Sequence, residues 1–204
     1  MGRIFFHEND LPDDVRFTGS VAVDTETMGL EIKRDRLCLV QLSAGDGDCH
    51  IVRFKRGSYD APNLKKLFAD SNVLKIFQFA RFDLAAIEYY LGVECKPVYC
   101  TKIASKLART NATSHSLKAL CDLLLGVELI KEQQTSDWGA EKLSQEQLTY
   151  AANDVLYLHA LKEKLDGLLD REGRTETARK CFDFLPQVAK MDILGFPVET
   201  FFSH

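Results

Sequence analysis

The stretch Ser20-Val-Ala-Val-Asp-Thr-Glu-Thr-Met-Gly-Leu30 constrains this chain more than any other. Val21 and Val23 alternate with Ala22, the pattern of a short, largely buried strand. Asp24 and Glu26 follow two residues apart, so if the strand continues both carboxylates point to one face. Side by side at the end of a buried strand they repel each other and lose hydration. A hard divalent cation such as Mg²⁺ relieves both penalties, because it takes oxygen ligands. A solvated turn before Gly29 accommodates a lone Asp-x-Glu as well, so acids elsewhere in the chain must decide.

The rest of the chain reads as strands first and helices later. Leu37–Leu42 and Cys49–Phe54 are strands joined by the turn residues Ser43–Asp48, which makes an antiparallel meander with the first strand. A helix over 62–69 precedes a strand over 73–79. The next helix runs from Ala80 to Leu91 and stops at Gly92. Pro97–Cys100 is a short strand, and Thr101 is read as the cap of a helix reaching about Arg109. Ser116–Leu125 is closed by Gly126. Ser144 and Gln147 form a capping box for a helical region reaching about Asp170, and a helix from Thr175 to about Val188 precedes an apolar tail. Five strands with interleaved helices predict an α/β fold. At 204 residues, with 46% hydrophobic and no visible linker or repeat, a single domain over 1–204 is expected.

Several function classes are disfavoured. No apolar run approaches the ~20 residues that span a bilayer, and the N-terminus lacks the apolar stretch and cleavage site of a signal peptide. The six cysteines form no Cys-x-x-Cys pair and no zinc spacing, as expected of packed, reduced thiols in a cytoplasmic protein. A net charge of −4 argues against non-specific coating of nucleic acid, yet allows a small nucleotide substrate held by a local basic patch.

Two downstream sites bear on the acidic pair. Asp83, in Phe79-Ala-Arg-Phe-Asp-Leu84, falls in the first helical turn after a strand, where the helix N-terminus favours a charged carboxylate. Tyr150 and Asp154, in Tyr-Ala-Ala-Asn-Asp, are four apart and share a helix face, with alanines between them that permit close approach of another element. Singly, each is an ordinary first-turn acid or a core tyrosine beside a surface acid. Together, four carboxylates and a phenol in this order point to a metal site.

In that order they resemble the DEDD 3′→5′ exonuclease superfamily, in its tyrosine-bearing, RNase D-like branch. Val-Asp-Thr-Glu-Thr-x-Gly-Leu at 23–30 matches the first motif, Arg-Phe-Asp-Leu at 81–84 the second and Tyr150-Ala-Ala-Asn-Asp-Val155 the third. The chain is similar in particular to the nano-RNase C group of short, dinucleotide-degrading enzymes. That similarity is carried by Asp35-Arg-Leu-Cys38, the run from Cys100 to Leu107, Ser136-Asp-Trp138 and Phe182-Asp-Phe-Leu-Pro186. The resemblance implies an RNase H-like (DnaQ-like exonuclease) fold with a mixed five-stranded sheet. It implies two Mg²⁺ or Mn²⁺ ions held by Asp24, Glu26, Asp83 and Asp154, with Tyr150 placing the attacking water. It also implies very short RNA as substrate, above all 5′-phosphorylated dinucleotides, and a homo-oligomer, an octamer, with residues 190–204 at or near a subunit contact. One departure stands out: Gln78-Phe79 occupies the place where RNase D-like enzymes usually carry His-Asn. Activity on longer RNA or DNA 3′ ends, and a non-catalytic nucleotide-binding scaffold, are the alternatives.

The expected substrate contacts start with Thr25 and with Leu30, whose counterpart in related enzymes wedges between bases. Phe79 could stack a base, although it and Leu30 fit core positions as well. Lys102, Lys106 and Arg109 recur at helical spacing as a positive stripe, with Ser105 beside it and His115 in the next loop. Such a stripe also describes a solvated helix face. Trp138 is read as a core anchor.

Overall fold

The computed structural model describes residues 2–129, 136–196, 198–201 and 203. Six strands, β1 (Ile4–Glu8), β2 (Ser20–Thr27), β3 (Leu37–Ser43), β4 (Cys49–Arg53), β5 (Leu74–Phe77) and β6 (Val98–Cys100), form one mixed sheet in the order β1-β4-β3-β2-β5-β6. The expected meander is present: β2, β3 and β4 are antiparallel neighbours, while β5 runs parallel to β2 and to β6. The sheet has one strand more than the five expected, because β1 pairs in parallel with β4 at the far edge.

Each central strand is built from residues that favour a pleated, buried surface. Val21, Ala22 and Val23 are wholly buried, and all of β3 is buried. Burial on both faces requires layers above and below the sheet, which the helices supply. α1 (Pro62–Ala69) precedes β5, and α2 (Ala80–Leu91) links β5 to β6. α3 (Thr101–Ala108) follows β6 without a break, and α4 (Leu117–Leu125) is capped by the Ser116 side chain. Next comes α5 (Gln145–Leu156), with the expected Ser144–Gln147 capping box. It lies across β2, β3 and β4, with Ala151 and Ala152 fully buried at the contact. α6 (Leu158–Arg171) packs on α3, and α7 (Thr175–Leu194) packs along α2. α8 (Val198–Phe201) is a single turn.

Three local expectations are corrected. The helical region after Ser144 is two helices, α5 and α6, that meet at Tyr157. Thr101 is not a cap: it is the first residue of α3, and its hydroxyl donates to the Phe77 carbonyl (3.1 Å) and to the Gln78 side chain. α7 runs on to Leu194, where Gly195 in the left-handed region ends it. Arg81 of α2 grips this end through Asp192 (2.6 and 2.7 Å) and reaches Glu199 of α8. Leu194, Phe196 and Phe201 of the tail are exposed, while Pro197, Phe202 and His204 lie outside the described residues. Among the described residues no helix is long and apolar enough to cross a membrane.

Candidate active site

β2 and β5 pair only as far as Ala22 and Ile76, and beyond that point the two strands part. Such a divergence at the ends of parallel strands opens a crevice in α/β sheets. Asp83, one turn into α2, fills the place a continuing β5 would take. Its Oδ1 accepts from the Thr25 N–H (3.1 Å) and from the Thr25 hydroxyl (2.7 Å). The turn from β5 into α2 is tight: Phe79 sits in the left-handed region at φ 67°. A non-glycine residue held there stores about 1–3 kcal/mol of strain. The conformation leaves Phe79 47% exposed, with the Lys102 ammonium 3.9 Å from its ring centroid.

Asp24 and Glu26 stand on β2 with α5 above them, and α5 brings Asp154 to the pair. Ligand oxygens of Asp24, Glu26 and Asp154 lie within 4.8 Å of one another. Among the described residues no charged partner neutralises them, and the electrostatics follow. Burial first, then the charges of Asp83, Asp154 and Glu26, hold Asp24 well above the usual carboxylate range. Burial, then Asp154 and Asp83, raise Glu26. Burial alone lifts Asp154 to about 7, and burial lifts Asp83 to about 7 against the opposing Thr25 hydrogen bonds. The donor set is all oxygen, partly buried and short of positive charge, which fits hard divalent cations such as Mg²⁺ or Mn²⁺. Asp83, tied to Thr25, is the one acid outside the tight trio.

Tyr150, one turn before Asp154, lines the same cleft and rests on the buried Trp138, ring centroids 6.0 Å apart. Burial, then Asp154, Glu26 and Asp24, push its phenol far up, so it stays protonated at neutral pH. Trp138 is an anchor, as expected.

The cleft encloses about 500 Å³ and is lined by these acids together with Leu30, Phe79 and Lys102. Leu30 is 85% exposed, so the core position open to it in the sequence is ruled out. The loop that presents it is held from below. Asp35 accepts the Glu31 N–H (3.0 Å) and pairs with Arg34, and a Cβ on Gly29 would lie 2.4 Å from the Asp35 carboxylate. Any side chain at position 29 would have to displace that carboxylate.

The residues of the basic stripe gather around His115 rather than along an open face. Ser105 is fully buried, with its Oγ 2.8 Å from His115 Nδ1 and 3.2 Å from the Arg109 guanidinium. Burial, then the positive charges of Arg109, Lys106 and Lys102, lower the His115 pKa. Lys102 reaches the cleft wall, whereas Ser105, Lys106, Arg109 and His115 stand behind it. Gln78 ties the two regions together, donating to the His115 carbonyl (2.9 Å) and accepting from Thr101. It is therefore a polar strut that also lines the cleft. Asn153 and Lys118 also line the cleft. Asn153 was visible beside Asp154 in the third motif, whereas nothing in the sequence marks Lys118, which arrives on the first turn of α4.

A second, larger cavity of about 1260 Å³ opens near Lys55, Arg56 and Lys142 and shares no lining residue with the first. Trp138 lines this cavity and Tyr150 the cleft, so their packed rings stand between the two.

Residues 7–170 match the family model described as 3′-5′ exonuclease. DNA polymerase I of Aquifex aeolicus is 37% identical over 197 residues, covering 87% of this chain and 32% of that protein. Ribonuclease D of Acidiphilium cryptum is 33% identical over 156 residues, covering 76% of this chain and 39% of that protein. The chain thus spans well under half the length of these curated relatives. Two solved structures of Brucella melitensis NrnC, one bound to pGG and one with bound Mg²⁺, superpose with TM-scores of 0.96 and 0.95. Each is 50% identical, with the whole of both chains covered.

Proposed function

We propose, from the premise that this chain belongs to the 3′-5′ exonuclease family, that it is a metal-dependent 3′→5′ exoribonuclease of very short RNA. The preferred substrate is a 5′-phosphorylated dinucleotide, and the products are nucleoside 5′-monophosphates. The observation that carries the reading is the trio Asp24, Glu26 and Asp154 within 4.8 Å, at the floor of a cleft whose walls carry exposed Leu30 and Phe79. Support for the substrate and metal comes from the pGG and Mg²⁺ held by the NrnC structures at full coverage.

Asp24, Glu26, Asp83 and Asp154 would hold two divalent cations, and the carboxylate charge that the bare site must suppress becomes the charge that binds them. The chemistry two such ions supply is Lewis acidity toward the phosphodiester and a lowered pKa for coordinated water. Everything else falls to the chain. Tyr150, a phenol whose ordinary pKa is near 10, would orient the attacking water by hydrogen bonding. Leu30 and Phe79 offer apolar surfaces to the two bases, and Thr25 fixes Asp83. Lys102 reaches the cleft, and Lys106, Arg109, Ser105 and His115 stand behind it as a cationic, hydrogen-bonded cluster whose charge favours a terminal phosphate at that end. A cleft of about 500 Å³ suits a ligand of small-molecule size rather than a continuing strand. Exposed Leu194, Phe196 and Phe201 support a tail contact in a homo-oligomer, with residues 1–204 as one exonuclease domain. The test is release of nucleoside monophosphate from a 5′-phosphorylated diribonucleotide. Turnover should require Mg²⁺ or Mn²⁺ and stop with EDTA; metal-independent release would overturn the reading.

A further inference from the structure

Gln41 sits in the middle of β3, fully buried, and among the described residues neither its amide oxygen nor its amide nitrogen has a hydrogen-bond partner. Buried amides are almost always paired, so each exception asks for a physical reason. The strand register supplies one. Gln41 stands directly opposite Asp24 across the β2–β3 ladder, and opposed residues project to the same face of the sheet. On that face α5 brings Asp154 to Asp24 and Glu26. On its other flank Gln41 faces Ile51, which has no polar side chain to offer. A methionine would fill the same space without leaving a desolvated amide unpaired.

We propose that Gln41 is a positioning residue for Asp24, its Nε2 donating to the Asp24 carboxylate when divalent cations occupy the acidic cluster. A carboxylate that ligates a cation keeps lone pairs free, and a neighbouring donor fixes its orientation and sustains its affinity. Gln41 does not line the cleft, so its effect on substrate passes through Asp24. The inference rests on the proposed function for the metal alone, not for RNA.

The test is Gln41→Met in the full chain, with Mn²⁺ binding followed by calorimetry in the absence of RNA. Outer-shell partners of metal ligands typically contribute ~10–100-fold in affinity, and a loss of that size is expected. The metal-free variant should melt no lower than wild type, and kcat for a 5′-phosphorylated dinucleotide should fall with little change in KM. Mn²⁺ affinity within threefold of wild type makes Gln41 a packing residue and overturns the proposal. Should the variant fail to fold, the ¹⁵N-labelled side-chain amide of wild-type Gln41 decides instead. It must shift and become protected from exchange on adding Mg²⁺, and an unmoved amide overturns the proposal. A chain that bound Mn²⁺ in this way but cleaved no RNA would refute the exoribonuclease reading and leave the role of Gln41 standing.

Discussion

Replacing Asp154 by asparagine should stabilise the metal-free protein while abolishing its turnover. Asp154 is a partly buried carboxyl whose pKa rises from 3.8 to about 7 because burial penalises its charge. No hydrogen bond from the described residues offsets that penalty. A carboxyl with a raised folded pKa binds its proton more tightly in the fold than in the unfolded chain. Its stabilising contribution is complete below about pH 4 and declines by about 1.4 kcal/mol per pH unit until the folded pKa is passed. Three units give an upper limit of about 4 kcal/mol at neutral pH. Because Asp154 titrates together with the neighbouring acids, only part of this, about 2 kcal/mol, falls to Asp154 itself. The asparagine side chain has nearly the same shape and no charge. At about 2–4 °C per kcal/mol for a chain of this size, metal-free Asp154→Asn should melt about 4–8 °C above wild type at pH 7.5. Less than half of that gain should remain at pH 5. Mg²⁺ should raise the wild-type Tm and leave the variant unmoved. Differential scanning fluorimetry in EDTA and in Mg²⁺ measures all of this. A variant that melts at or below wild type at both pH values would refute the reasoning, because Asp154 would not then be an electrostatic burden awaiting a cation.

Tyr150→Phe should lower kcat by ~10²–10⁴-fold with little loss of binding; an unchanged single-turnover rate would leave the phenol only its packing on Trp138. Arg109→Ala, which removes the guanidinium bonded to Ser105 and its charge beside His115, should narrow the gap in kcat/KM between phosphorylated and unphosphorylated dinucleotides. An unaltered gap would place the phosphate elsewhere. Truncation after Met191 removes Asp192 and Glu199 from Arg81 together with exposed Leu194, Phe196 and Phe201, and light scattering should then report a smaller assembly. An unchanged mass would mean that the tail serves its own subunit.

Much of the site was legible because its residues announce their own physics. Asp24 and Glu26 share a face through strand periodicity, and Tyr150 and Asp154 through helix periodicity, so each pair follows from local geometry alone. What escaped the sequence depends on distant partners. β1 is an edge strand whose pairing, Ile4 against Cys49, runs parallel and spans most of a meander, so no hairpin turn marks it. Ser105 and His115 meet only because α3 ends and the chain turns back, and Gln78 joins them through a carbonyl that no side-chain pattern reveals. Leu30 fitted core and cleft alike until Asp35, packed under Gly29, turned it outward. Nothing in the sequence marks Gln41 within its apolar strand, because its place is set by the register that puts it against Asp24.

The central claim is that this cleft is built for two nucleotides and no more. The measurement that tests it is kcat/KM for 5′-phosphorylated RNAs of two to seven residues, at one Mg²⁺ concentration. The account predicts a maximum at the dinucleotide and a steep fall at three, because a cleft of about 500 Å³ leaves little room for another nucleotide. A profile that is flat or rises with length would contradict it and make the protein an exonuclease of general 3′ ends.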